Sequence, residues 1–139
     1  QYMSAGTGVT HSEFNPSKNE EVHLLQIWIR PDKKDYPPAY AQKKIPEASG
    51  FQLLAGPEGA GGLVSIRQKA KLYVHSIDSA KTAEFAVAGN HGVWLQVIQG
   101  DLVVENQTLT PGDGAALEGA GKLNLSAKSR ATFLLFELA

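Results

Sequence analysis

Residues 51–139 alternate between short apolar runs and short polar turns. Apolar and polar side chains follow each other strictly along "TAEFAVA" (82–88) and "KLNLSA" (122–127), as expected of strands with one face in solvent. Turn residues separate such runs, for example at Gly100-Asp101 and Pro111-Gly112-Asp113. Many short strands with regular turn signals predict an all-β antiparallel sandwich or barrel.

The stretch "EVHLLQIWIR" (21–30) carries large apolar side chains on both faces of any strand that it forms. Leu24 and Trp28 share one face, whereas Leu25 and Ile27 share the other. This pattern predicts a strand that is covered on both sides. With a further strand expected around residues 9–14, residues 1–30 hold about two strands, too few to fold alone.

Residues 31–50 differ in composition from the segments on either side. They contain four prolines and four lysines without sustained periodicity, and Pro37-Pro38 argues against a long helix. At most, "AYAQKK" (39–44) is expected to make a helical turn. The sequence therefore predicts three parts: residues 1–30 as a remnant, residues 31–50 as a linker, and residues 51–139 as a complete β domain.

Composition limits the classes of function. With 139 residues, 42% of them hydrophobic and 19% charged, the chain can bury a core, and a net charge of −1 gives no electrostatic basis for nucleic-acid binding. No apolar run approaches the ~20 residues that a membrane span needs. Cysteine is absent and the first residues do not resemble a signal peptide, so we expect a cytoplasmic protein.

The stretch "VTHSEFN" (9–15) contains the candidate chemistry. On a strand, His11 and Glu13 would point to the same side while Ser12 pointed away. An imidazole and a carboxylate suit a borderline divalent metal, and two histidines with one carboxylate form the facial set of non-haem Fe(II) oxygenases. Spacing alone leaves open a structural pair near a turn, because two ligands are only part of a site.

Several longer stretches closely resemble the pirin family of bicupins, and the resemblance covers essentially the whole chain. They are "QYMSAGTGVTHSEFNPS", then "EVHLLQIWI" and "PPAYAQKK", and near the C-terminus "GVWLQVIQGDLVVENQTLTPGDGAALEG". The resemblance implies that residues 51–139 form a cupin-type barrel, the second of two, and that residues 1–30 are the last strands of the first barrel.

In that family a metal, usually iron, is held by a His-x-His pair together with a later histidine and glutamate. The resemblance makes His11 and Glu13 the matching metal ligands, with Glu13 also the candidate catalytic base. No histidine precedes His11 in this sequence. The first half of the metal site is therefore missing, and we expect this chain to be a fragment of a longer protein.

The resemblance implies that the longer protein is an iron-dependent dioxygenase of quercetin-type flavonols. The alternative is a metal-dependent regulatory module that binds other proteins without catalysis. This chain is expected to bind no stoichiometric metal and to be inactive, and its N-terminal strands are expected to self-associate.

The remaining histidines are interpreted as structural. His91 is expected to be a solvated turn residue, His75 an edge or interface residue, and His23 a hydrogen-bonded residue of a buried strand. The C-terminal barrel is accordingly expected to be non-catalytic.

Overall fold

A computed structural model describes residues 1–119 and 121–139. The secondary structure of these residues consists of strands: β1 (Tyr2–Ser4), β2 (Ala39–Ala41), β3 (Gln52–Gly56), β4 (Val64–Ser65), β5 (Ala70–Ile77), β6 (Thr82–Ala86), β7 (Gly92–Gln99), β8 (Leu102–Val104), β9 (Gln107–Leu109), β10 (Gly114–Leu117), β11 (Lys122–Ala127) and β12 (Ala131–Leu138). The described part of the chain contains no helix that could cross a membrane.

Two sheets form the body of the molecule, and both lie in residues 51–139. One has the order β10-β7-β12-β5-β3-β4, and the other has the order β6-β11-β8-β9. Neighbouring strands run antiparallel apart from β3 and β4, which pair in parallel. The predicted all-β sandwich is confirmed, and strand β11 occupies the same residues as the predicted run "KLNLSA".

The main core lies between the two sheets. Leu95, Phe133 and Leu135 of the larger sheet meet Leu102 and Leu123 of the smaller one, and all five are fully buried. Alternation along each strand sends every second side chain inward, which is why a period of two in the sequence builds this core. Each such side chain contributes roughly 1.5–3 kcal/mol on burial.

The larger sheet is also apolar on its outer face. Leu72 of β5 and Leu134 of β12 belong to a second buried cluster, against which Tyr2 and Ile29 from the N-terminal segment pack. Strand β12 is therefore covered on both sides, which explains its nearly continuous apolar sequence.

The N-terminal part departs from the prediction. Residues 9–14 and 21–30 form no strand, and residues 39–41 form β2, which pairs with β1, instead of a helical turn. A strand needs neighbours that accept and donate its backbone hydrogen bonds, and no described strand pairs with either of these two segments. Residues 25–29 instead run as extended chain over the outer face of the larger sheet, where they wall an open groove of about 480 Å³.

The connecting segment is attached to the loop after β4. The Asp32 amide donates to the Arg67 carbonyl at 2.8 Å, and the Gln68 side chain donates to the Arg30 carbonyl at 3.0 Å. The Tyr36 ring lies 4.8 Å from both Lys33 Nζ and the Arg67 guanidinium carbon. These contacts hold residues 30–36 against the β domain.

Candidate functional site

His11 and Glu13 lie in the long connection between β1 and β2, and both side chains are exposed. The connection starts with a tight turn in which the Gly8 amide donates to the Ala5 carbonyl at 2.8 Å. Gly6 has a φ of +51°, and a Cβ at this position would lie 1.9 Å from the Tyr36 carbonyl oxygen. The glycines before His11 thus allow this turn to touch the segment that leads into β2.

His11 lines an open groove of about 410 Å³. Met3 of β1 and Tyr40 of β2 form part of its wall, together with Pro38 and the neighbouring Thr10. The short β1–β2 ladder therefore sets the position of the imidazole relative to an apolar and aromatic surface. The Tyr40 hydroxyl is oriented by a 2.8 Å hydrogen bond to Gln42 Oε1.

His11 and Glu13 offer ligand atoms of the right type for a divalent metal, but two ligands are too few to form a site. Imidazole nitrogen and carboxylate oxygen are ordinary ligands of zinc, iron and nickel. Among the described residues, however, no group of three histidine, aspartate or glutamate side chains is close enough to hold a metal ion. The described residues by themselves therefore do not complete a metal site.

A second polar group, which the sequence analysis missed, lies at one end of the β sandwich. Glu137 of β12 is the buried acidic residue of the core, with only 3% of its surface exposed. Its Oε1 accepts the Ala88 amide at 2.9 Å, and its Oε2 accepts Lys71 Nζ at 3.2 Å. His91 Nδ1 lies 3.4 Å from Oε1.

These contacts determine the charge of Glu137. Burial acts to raise its pKa, but the Ala88 amide, the Lys71 ammonium and the nearby His91 together lower the pKa below the ordinary value. Glu137 is thus a carboxylate at neutral pH. Burial raises the pKa of Tyr73, with Glu137 acting in the same direction and Lys71 against it, so the phenol stays neutral.

The signal for Glu137 was present in the sequence. Phe133 and Leu135 point into the core, and alternation along β12 places Glu137 on the same side. The alternation does not reveal which residues contact Glu137. Lys71 pairs with Glu137 across β5 and β12, but Ala88 and His91 come from a turn about 50 residues earlier.

The other histidines are placed differently from the expectation. The His91 side chain is 28% exposed and turns its Nδ1 inward, so it is not a solvated turn residue. His75 is half-buried with its ring centroid 4.5 Å from that of Phe51, and burial lowers its pKa. His23 is exposed and lies outside any strand.

Comparison with known families divides the chain into two matched regions. A family model described as "Quercetinase C-terminal cupin domain" matches residues 53–138. A model described as "Pirin" matches residues 1–29, the region that contains His11 and Glu13.

Some of the relatives that match nearly the whole chain are named as enzymes. Quercetin 2,3-dioxygenase of Escherichia coli strain K12 is 34% identical over 138 residues, which cover 99% of this chain and 60% of that protein. The pirin-like protein YhaK of the same strain is 32% identical over 141 residues, covering 98% of this chain and 60% of that protein. This chain spans about three fifths of the length of these relatives.

Two solved structures are similar to almost the entire chain. YhhW from Escherichia coli matches with a TM-score of 0.91 at 34% identity, covering 99% of this chain and 58% of that one. The complex of bacterial pirin YhhW with nickel(II) matches with a TM-score of 0.89 at 34% identity, covering 98% of this chain and 59% of that one.

Proposed function

This chain belongs to the pirin family of cupin proteins, and on that premise we propose that it is the C-terminal part of a metal-dependent dioxygenase acting on quercetin-type flavonols. The observation that carries the proposal is the position of His11 and Glu13 within the region that the pirin model matches. The 34% identity to Escherichia coli quercetin 2,3-dioxygenase supports the choice of reaction and of a flavonoid substrate.

In the longer protein, His11 and Glu13 provide two of four metal ligands, and Glu13 is also the candidate base. The other two come from a His-x-His pair that this chain lacks. The metal is iron or another divalent ion, and the solved complex of YhhW with nickel(II) supports a metal cofactor in the family. Such a metal supplies Lewis-acid polarisation of a bound oxygen ligand.

Each of the three sequence regions is assigned a separate role. Residues 1–30 complete the metal-binding barrel, residues 31–50 connect it, and residues 51–139 form the C-terminal cupin, which has no catalytic role of its own. The apolar groove wall beside His11, with Met3 and Tyr40, suits a flat aromatic substrate. The absence of cysteine supports a cytoplasmic location.

The 139-residue chain by itself is expected to bind no stoichiometric iron and to consume no quercetin. Two donors on an exposed connection chelate too weakly to retain a divalent ion through dialysis. Elemental analysis after incubation with Fe(II) or Ni(II), and loss of quercetin absorbance with oxygen uptake, measure the two properties.

The matched variants are His11→Ala and, as a control from the same exposed segment, His23→Ala. One tightly bound metal per chain that disappears in His11→Ala and persists in His23→Ala would contradict the expected lack of a complete site. In the longer protein, the same His11→Ala substitution should abolish metal binding and turnover while His23→Ala preserves both.

A regulatory role is the alternative, and it is supported by the 32% identity to a relative whose name, pirin-like protein YhaK, states no reaction. Experiments on the longer protein can distinguish the two functions. Quercetin consumption coupled to oxygen uptake supports the enzyme, whereas metal-dependent capture of a specific partner protein without turnover supports the regulator.

A further inference from the structure

The loop between β4 and β5 presents Arg67 from a fixed backbone. Arg67 is exposed and lies between the core residues Ile66 and Ala70, which are 8% and 4% exposed. The Ile66 amide also donates to the Gly56 carbonyl of β3 at 2.8 Å. The C-terminal core therefore sets the place from which the Arg67 side chain contacts other parts of the chain.

Tyr36 of the connecting segment is the residue that Arg67 contacts. The Arg67 guanidinium carbon lies 4.8 Å from the centre of the Tyr36 ring, a distance typical of a cation–π interaction. Lys33 Nζ lies at the same distance, but Lys33 belongs to the same segment as Tyr36. The Tyr36 hydroxyl donates to Asp32 Oδ1 at 2.8 Å, and the Asp32 amide donates to the Arg67 carbonyl at 2.8 Å. Tyr36 is thus joined to the loop both directly and through Asp32.

The two residues after Tyr36 link it to the groove that His11 lines. Pro37 and Pro38 have their φ angles fixed by the pyrrolidine ring, and each also restricts the backbone of the residue before it. Pro38 forms part of the groove wall, together with Tyr40. Because the stretch from Tyr36 to Pro38 has few accessible conformations, the position of Tyr36 determines the position of this wall.

The turn before His11 also lies against Tyr36. A Cβ on Gly6 would lie 1.9 Å from the Tyr36 carbonyl oxygen, so the backbone of the turn is packed directly on this residue. The turn is closed by the hydrogen bond from the Gly8 amide to the Ala5 carbonyl, and His11 follows three residues later. The start of the ligand-bearing segment and the Pro38 wall of its groove therefore both depend on Tyr36.

We propose that Arg67 is a positioning residue for the metal site. It holds Tyr36 in place, and Tyr36 in turn holds the turn before His11 and the Pro38 wall in the arrangement that metal binding requires. Arg67 is not among the residues that line the groove, so it acts only through Tyr36. The proposal rests on the proposed function, and it gives the C-terminal cupin an indirect part in the reaction of the longer protein.

Amide hydrogen exchange in the 139-residue chain tests the first step. Arg67→Met keeps much of the apolar stem but removes the charge, and it should make the Gly8 amide exchange about two- to fivefold faster, as expected for the loss of one exposed cation–π contact. Arg67→Lys should recover most of the protection, because an ammonium group retains the attraction to the ring. Lys33→Met is the matched control and should behave as the parent chain does, because Lys33 does not join the segment to the loop.

Co(II) binding to the longer protein tests the second step, because the d–d absorption of Co(II) reports the geometry of its ligands. Arg67→Met should weaken Co(II) binding about two- to fivefold, in proportion to the change at Gly8, and should alter the d–d spectrum. Arg67→Lys should restore both properties, and Lys33→Met should leave both unchanged. A merely structural role of Arg67 would lower the melting temperature without changing the spectrum.

Equal exchange of the Gly8 amide in Arg67→Met and Lys33→Met would overturn the proposal at its first step. Faster exchange in Arg67→Met, with an unchanged spectrum and affinity for Co(II), would overturn the positioning role alone and leave the proposed function standing. A longer protein that binds no Co(II) even without substitutions would overturn the proposed function and the positioning role together.

Discussion

At the scale of single residues, Glu137 is the buried charged side chain of the described structure. A carboxylate with 3% exposure is tolerated because an amide, an ammonium and an imidazole surround it. The partners come from β5 and from the turn before β7, whereas Glu137 itself lies on β12. The ionised form of Glu137 therefore contributes to the stability of the β sandwich.

Glu137→Gln is expected to lower the free energy of unfolding by roughly 1.5–3 kcal/mol at neutral pH, because the hydrogen bonds of the Ala88 amide and Lys71 to a charged acceptor are weakened. The contacts hold the pKa of Glu137 below its ordinary value of 4.5, so their stabilisation is complete above that pH and is lost as the pH falls through the lowered pKa. Urea unfolding between neutral and acid pH measures both effects.

The exposed ion pair of Lys122 with Glu84 supplies the control. Glu84→Gln should change the free energy of unfolding by less than about 1 kcal/mol at neutral pH. A loss in Glu137→Gln as small as that in Glu84→Gln would contradict the importance assigned to the buried carboxylate.

At the scale of elements, the contact of the Gly6 turn with the segment before β2 positions the candidate metal ligands. Gly6 lies against the Tyr36 carbonyl, and the Tyr36 ring is in turn held between Lys33 and Arg67. These contacts together connect the turn before His11 with the loop that follows β4. The β1–β2 ladder depends on the same contact, because Gly6 and Tyr36 lie next to its ends.

Gly6→Ala should therefore open the β1–β2 ladder. The new Cβ would overlap the Tyr36 carbonyl oxygen at 1.9 Å and would also meet the strain of a positive φ, a cost of roughly 2 kcal/mol or more. Amides of β1 and β2 should exchange at least about tenfold faster, while those of β7 and β12 stay unchanged. Gly8→Ala is the control, because Gly8 also has a positive φ, of +135°, whereas nothing lies within 4 Å of its added Cβ.

Equal exchange of the β1 and β2 amides in Gly6→Ala and Gly8→Ala would show that the close approach to Tyr36 is unimportant. Faster exchange throughout β7 and β12 in Gly6→Ala would show instead that the N-terminal ladder and the sandwich unfold together.

At the scale of the whole molecule, apolar surface is distributed unevenly. Most large apolar side chains of residues 51–139 lie in the two buried clusters. The N-terminal part, by contrast, exposes Trp28 by 87% and Phe14 by 84%. Val22 and Leu24 are exposed beside them. A concentration of exposed large apolar side chains in one segment is typical of a surface that associates with another protein.

The chain is accordingly expected to self-associate through residues 9–30. Light scattering over a concentration series should show dimers or larger species, and hydrogen exchange should become slower in these residues as the concentration rises. Replacement of Phe14, Leu24 and Trp28 by serine should yield a monomer with an unchanged sandwich, because these side chains lie outside the main core.

The matched control replaces the exposed polar residues Ser17, Asn19 and Glu20 of the same segment by alanine, and it should still associate. A monodisperse monomer in which residues 9–14 and 22–30 are nevertheless protected from exchange would contradict the prediction.

Most of the fold of residues 51–139 could be predicted from local pattern. The run "KLNLSA" coincides with β11, and the run "TAEFAVA" (82–88) contains β6 (Thr82–Ala86). Strand β9 (Gln107–Leu109) was not predicted, because a three-residue polar edge strand has too few positions to show alternation. The family and the candidate ligands His11 and Glu13 came from motif resemblance, and spacing alone would not have identified them.

The sequence by itself determined the β class and the inward positions of the main core, because alternation along a strand is a local property of the backbone. Only the tertiary structure decided that residues 21–30 form no strand and that Glu137 faces Ala88, Lys71 and His91. Strand pairing and the burial of charge depend on partners distant in sequence. Residues 21–30 have the composition of a strand but no pairing partner in the described chain, whereas Glu137 has its partners.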